Sequence, residues 1–85
     1  MNNINLSASY NSAAKQFIES SINTANIVLE HYDFVIADIS SYITNPQLEG
    51  TKGPTIQFLK NMRKEWLDFK NEMEAKLHNI NKEEK

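Results

Sequence analysis

The sequence predicts an all-α protein, an antiparallel two-helix hairpin of coiled-coil character. Three observations carry that prediction. Apolar residues recur at alternating steps of three and four along most of the chain. All glycines and prolines fall inside one short stretch, NPQLEGTKGP at positions 45–54. No segment shows the alternation of period two that a half-buried strand requires.

Helix one is expected over about residues 7–43. Ser7 to Ile43 contains neither Gly nor Pro, and Ile18, Ile22, Ala25, Leu29, Tyr32, Ile36, Ile39 and Ile43 step by 4, 3, 4, 3, 4, 3 and 4. That is an unbroken heptad seam, about 55 Å of helix at 1.5 Å per residue. Ser7 or Ser9 suits the N-cap, since either hydroxyl can accept from a free backbone N–H of the first turn.

The turn is expected over 44–53. Proline disfavours the α conformation in the residue before it and supplies no N–H, so Thr44-Asn45-Pro46 ends helix one. Gly50 and Gly53 offer positive φ, and Pro54 suits the first position of helix two. Helix two then runs over about 54–81. From Ile56, the residues Leu59, Met62, Trp66, Phe69, Met73, Leu77 and Ile80 step by 3, 3, 4, 3, 4, 4 and 3, with charged residues filling much of the other face. Glu72 and Lys76 stand in the favourable i, i+4 order. Nothing apolar follows Ile80, so residues 82–85 form a frayed tail.

Helices joined by a short connection fold back seam against seam. The expected hairpin seam is Ile18, Ile22, Leu29, Tyr32, Ile36 and Ile39 against Leu59, Met62, Trp66, Phe69, Met73 and Leu77. Helix one is also apolar outside that seam, at Tyr10, Ala13, Phe17, Ile27, Val28, Phe34, Val35 and Tyr42. A single partner helix cannot cover so wide a surface. Burying such side chains is worth roughly 1.5–3 kcal/mol each, a large amount for a small domain. Phe17, Ile27, Val28, Phe34, Val35 and Tyr42 are therefore the candidate partner interface. The alternative is that isolated apolar residues are tolerated at the surface.

Size and composition point the same way. A chain of 85 residues makes one domain and buries roughly 60% of its surface, against about 75% for a large one. With no cysteine, neither a disulfide framework nor a thiolate metal site can staple it, which leaves association with another chain. A net charge of −2 is too small to draw it to nucleic acid or an acidic membrane. The N-terminal MNNINLSASYNSAAK has neither a basic leader nor an apolar core, and no stretch approaches the ~20 apolar residues of a membrane span. The expected setting is cytoplasmic, with no membrane insertion.

Chemistry-bearing patterns are sparse. His31 and His78 lie on different helices, and a hairpin turning near residue 49 is expected to bring them to roughly comparable height. No HExxH-type spacing accompanies them, so no metal site is expected. Glu30, His31 and Asp33 are close in sequence but point in different directions on a helix, which suits a solvated cluster. There is no nucleophile-base-orienter pattern, and GTKGP lacks the spacing and Lys-Ser/Thr ending of a phosphate loop. Neither a catalytic residue nor a cofactor site is assigned, and the chain is read as a non-enzyme. Lys60, Arg63 and Lys64 around Trp66 suggest phosphate contacts, but Pro54–Asn81 holds five basic and four acidic residues, an ordinary solvated face. No nucleic-acid binding is expected.

The hairpin with Leu48-Glu49-Gly50 at its turn, and Phe58 eight residues beyond the glycine, resembles the helical-hairpin proteins of type VII secretion. Their turn motif is Trp-x-Gly, or Leu-x-Gly in the targeting domains of large toxin and lipase substrates. The chain is most similar to the small helical accessory proteins that accompany Leu-x-Gly substrates. The resemblance implies that Leu48 and Gly50 form a surface at the hairpin tip. It also implies a partner, the helical targeting domain of a secreted toxin or lipase or a sister hairpin, and co-secretion with its cargo; the uncovered apolar surface of a lone hairpin leads to the expectation of weak stability or a homodimer in isolation. Family members often carry an export signal, an aromatic residue followed four positions later by an acid, near the end of helix two. Here Trp66 is followed by Lys70 and Phe69 by Met73; the match is Phe34 with Asp38, in helix one. The plainer reading of that pair is an apolar flank beside a solvated carboxylate. The rival function is an immunity or antitoxin-like protein that caps a toxin's active domain.

Overall fold

The computed structural model describes the backbone of residues 3–42 and 46–83, and side chains over 10–42 and 50–82. Helix α1 spans Asn3–Ser41 and helix α2 spans Pro46–Glu83. The two pack along their length as a hairpin, with no strand among the described residues. The all-α hairpin expected from the heptad spacing is the observed architecture.

The helix boundaries differ from the expected ones at both ends. α1 begins at Asn3, so neither Ser7 nor Ser9 is its cap. Nothing between Asn3 and Ser9 breaks a helix, and a serine inside one costs only a fraction of the penalty of glycine. At the other end, the expected turn 44–53 is mostly helix. α1 ends at Ser41, ahead of the expected Ile43, and Pro46 opens α2, where a preset φ and a missing N–H fit the first helical turn. Pro54, expected at the start of helix two, sits inside it. Gly53 makes this possible, because it has no Cβ to meet the proline ring, half of the clash that normally pushes the preceding residue out of the α region. The proline also leaves the Gly50 carbonyl without its helical donor. Gly50, Gly53 and Pro54 are all solvent-exposed, so water reaches that carbonyl. Neither glycine has positive φ, contrary to their expected role as turn residues. α2 continues to Glu83, so Lys82 and Glu83 of the expected tail are helical. Ile43, the last residue of the expected seam, lies outside the described residues.

The hairpin is a rod. Its Cα extents are 70 × 17 × 14 Å and its radius of gyration is 19.6 Å, where a compact chain of this length has about 12 Å. Among the described residues the buried core consists of Ile18, Ala25, Leu29 and Met73. Ala25 is fully buried, and its small side chain lets the two backbones approach. Every other described member of the seam, from Ile22 through Ile39 on α1 and from Leu59 through Leu77 on α2, is half-buried.

Two polar devices fix the pairing. The Lys52 ammonium of α2 donates to the backbone carbonyls of Ser40 (3.2 Å) and Tyr42 (2.9 Å). α1 has no basic residue in its own last turn, so α2 supplies the cation that its C-terminal carbonyls and dipole favour. Farther along, the Arg63 guanidinium donates to both carboxylate oxygens of Asp33, at 2.6 and 3.3 Å.

Candidate helix-docking face

In an antiparallel pair, the residue one position before each seam residue falls on the same side of the hairpin for both helices. The residue one position after falls on the opposite side. The two sides differ in chemistry. On the far side, α1 presents Glu19, Asn23, Asn26, Glu30 and Asp33, and α2 presents Lys60, Arg63, Leu67, Lys70 and Glu74. The Asp33–Arg63 pair lies here, as does the Lys70–Glu74 pair at 3.7 Å. The Asp33 contact raises the Arg63 pKa above its ordinary value, chiefly through the hydrogen bond, with partial desolvation opposing and the carboxylate charge adding to the rise.

On the near side, α1 repeats its heptad spacing one residue earlier: Phe17, Ser21, Thr24, Val28, His31, Val35, Asp38 and Tyr42 step by 4, 3, 4, 3, 4, 3 and 4. Between Phe17 and Val35 this stripe has no Asp, Glu, Lys or Arg. It forms one wall of an open groove. Toward the tip, Val28, His31 and Val35 line it together with Ile27, Tyr32 and Leu59. Toward the open end, Phe17, Ser20, Ser21 and Thr24 line it with Trp66 and Phe69. Those two rings pack edge to face, with centroids 5.8 Å apart and planes at 81°, and Glu65 borders them from the α2 rim.

The sequence-predicted interface residues divide between this groove and its outer lip. Phe17, Ile27, Phe34 and Tyr42 are 70%, 61%, 73% and 57% exposed, while Val28 and Val35 are half-buried in the groove wall. Ile27 and Phe34 sit one position farther round α1, so the apolar surface continues beyond the groove. Tyr10 and Phe58 are also exposed, at 74% and 62%, and Phe58 falls on the near side of α2. Ser21, Thr24 and His31 escaped the sequence reading because a search for apolar residues passes over them. The repeated 4, 3, 4, 3 spacing is the signal that finds them.

The remaining sequence-predicted residues are not drawn together. Leu48 and Gly50 lie in the first turns of α2, near the hairpin tip. Gly50 is exposed, with open space where a Cβ would stand; the Leu48 side chain lies outside the described residues. Phe34 and Asp38 are both exposed, one turn apart. Asp38 accepts a hydrogen bond from the Tyr42 hydroxyl at 2.9 Å, which raises the Tyr42 pKa, mainly through that bond and then through the nearby charge. His31 and His78 are not at comparable height. The Asp33–Arg63 register places His78 level with Ile18, about 20 Å along the axis from His31, and on the opposite side. Among the described residues no group of His, Asp and Glu is placed to hold a metal ion. Nor is any described helix long and apolar enough to cross a membrane.

No protein-family model matches this chain, and no curated protein or solved structure matches it either.

Proposed function

We propose that this protein is a non-enzymatic helical partner that completes the bundle of another helical domain. The observation that carries the reading is the uncovered near side of α1, with large apolar side chains left 57–74% exposed. The accessible surface of 6661 Å² supports it, since a compact monomer of this mass exposes about 5,200 Å². A second chain laid along the groove recovers burial that the hairpin lacks, and the same contact covers apolar surface on the partner.

The finer form of the proposal rests on the Leu48-Glu49-Gly50 resemblance. The partner is then the helical targeting domain of a larger type VII-secreted toxin or lipase, or a sister hairpin. This chain shields the partner's long helices and holds the bundle in an export-competent shape, and it acts in the cytoplasm before or during export.

Co-expression with the separate domains of a candidate substrate tests this. The expected result is co-purification with the helical targeting domain and a large rise in melting temperature. A partner at a hundredfold excess over its Kd adds about 2.7 kcal/mol. A hairpin that melts cooperatively as a monomer and captures neither domain contradicts the proposal. Binding confined to the catalytic portion moves the function to immunity.

A further inference from the structure

The charge distribution around the groove specifies what kind of helix it takes. Its α1 wall and lip are apolar or neutral. Its α2 rim carries Glu65, Asp68 and Glu72. Glu72 is 3.6 Å from Lys76, whereas Glu65 and Asp68 form no ion pair among the described residues. We infer that the groove accepts one amphipathic helix of a different chain, with an aliphatic flank toward Ile27 and Phe34 and a basic flank toward Glu65 and Asp68. This rests on the binding role proposed above and adds the partner's chemistry and direction. A helix with one basic and one aliphatic flank meets both walls in only one of its two orientations, so the acidic rim selects direction as well as partner.

The α1 helix of a second copy fits poorly. The sole Lys or Arg of α1 is Lys15, outside the Phe17–Val35 stripe, so an α1 from another copy brings no cation to the rim. Phe17 to Val35 spans about 27 Å, which sets the partner segment at roughly five turns. The face from Tyr10 to Tyr42 is about 48 Å long. With the 17 Å breadth of the hairpin, the whole face offers about 800 Å² and the five-turn stretch about 460 Å², so the partner segment covers just over half of the face.

Two synthetic, side-chain-stapled helices of about 20 residues test the inference. They share one aliphatic seam and one aliphatic flank and differ only in Lys or Glu on the other flank. Titrated into the full chain, the Lys helix should bind at least about tenfold tighter than the Glu helix. The exposed Glu65→Lys/Asp68→Lys variant should reverse that order while keeping its helicity by circular dichroism. Equal affinities, or a preference unchanged in the variant, overturn the inference. So does a chain that sediments as a dimer with Thr24→Cys cross-linking into the groove of its twin. If neither helix binds but Thr24→Cys is shielded from thiol reagents in the native cell, the charge assignment falls and the partner role stands. If Thr24→Cys is unshielded as well, both fall.

Discussion

The two long faces of this hairpin are made from the same two helices and differ in what they leave unfinished. The far face closes on itself. Asp33 meets Arg63, and Lys70 meets Glu74. The near face does not close. Its α1 stripe is apolar or neutral from Phe17 to Val35, its α2 rim is acidic, and among the described residues nothing covers most of Ile27 or Phe34. The difference teaches that one helix can serve two partners when its heptad seam is duplicated one residue out of step. α1 carries two adjoining seams, whereas α2 carries one and surrounds it with charge.

Substitutions that separate the shared seam from the two faces sharpen the comparison. The largest effect belongs to the seam. Leu29→Ala should destabilise the purified hairpin by about 2–3 kcal/mol in urea unfolding, the lower part of the range for buried leucine because the core is thin. A near-zero loss would mean that α1 and α2 are not held by this seam. Next is the near face. Thr24→Glu should change the stability of the isolated chain by less than about 0.5 kcal/mol. It should also weaken partner binding at least about tenfold, or 1.4 kcal/mol. An equal change at Asn26→Glu, on the far face, would erase the distinction between the sides.

The tip gives a smaller effect of opposite sign. Gly50 has helical φ and open space for a Cβ, so Gly50→Ala should stabilise by about 0.5–1 kcal/mol. Destabilisation would restore the glycine to a turn. Smaller still is the far-face ion pair. Arg63→Gln should cost only slightly in low salt, and molar salt should abolish the difference. The smallest effect is spectroscopic. Asp38→Asn should bring the Tyr42 titration down toward its ordinary 10.0. With the folded-state pKa raised, the stabilising contribution of Tyr42 is complete below the ordinary tyrosine range and is lost as pH rises through the raised value. An alkaline absorbance titration identical in the two proteins would remove the Asp38–Tyr42 bond from the account.

How much of this was legible in the sequence follows from which forces decide each feature. The hairpin and its seam were legible because burial imposes a period. Every described seam residue is at least half-buried, and the four buried side chains among the described residues lie on the predicted spacing. The turn was not, because glycine and proline were read one at a time. Gly53 next to Pro54 reads as two breakers, yet the missing Cβ of one removes half of the obstacle raised by the other. The outer apolar residues of α1 were visible individually, whereas the groove they help to form was not. Ser21, Thr24 and His31 carry its spacing without its hydrophobicity, and the α2 wall is defined only once the direction of pairing puts Glu65 and Asp68 on the side of Thr24.

The central claim is that the near face of α1 is covered in use and the far face is not. The chain has no cysteine, so single thiols at Thr24 and Asn26 report on the two faces separately. Their labelling rates should be measured in the purified chain and in the native cell. The account predicts that the Thr24→Cys thiol slows at least about tenfold in the cell, from the coverage expected of a stable interface, while the Asn26→Cys thiol scarcely changes. Equal rates for Thr24→Cys in both settings, or equal slowing at both positions, would contradict it.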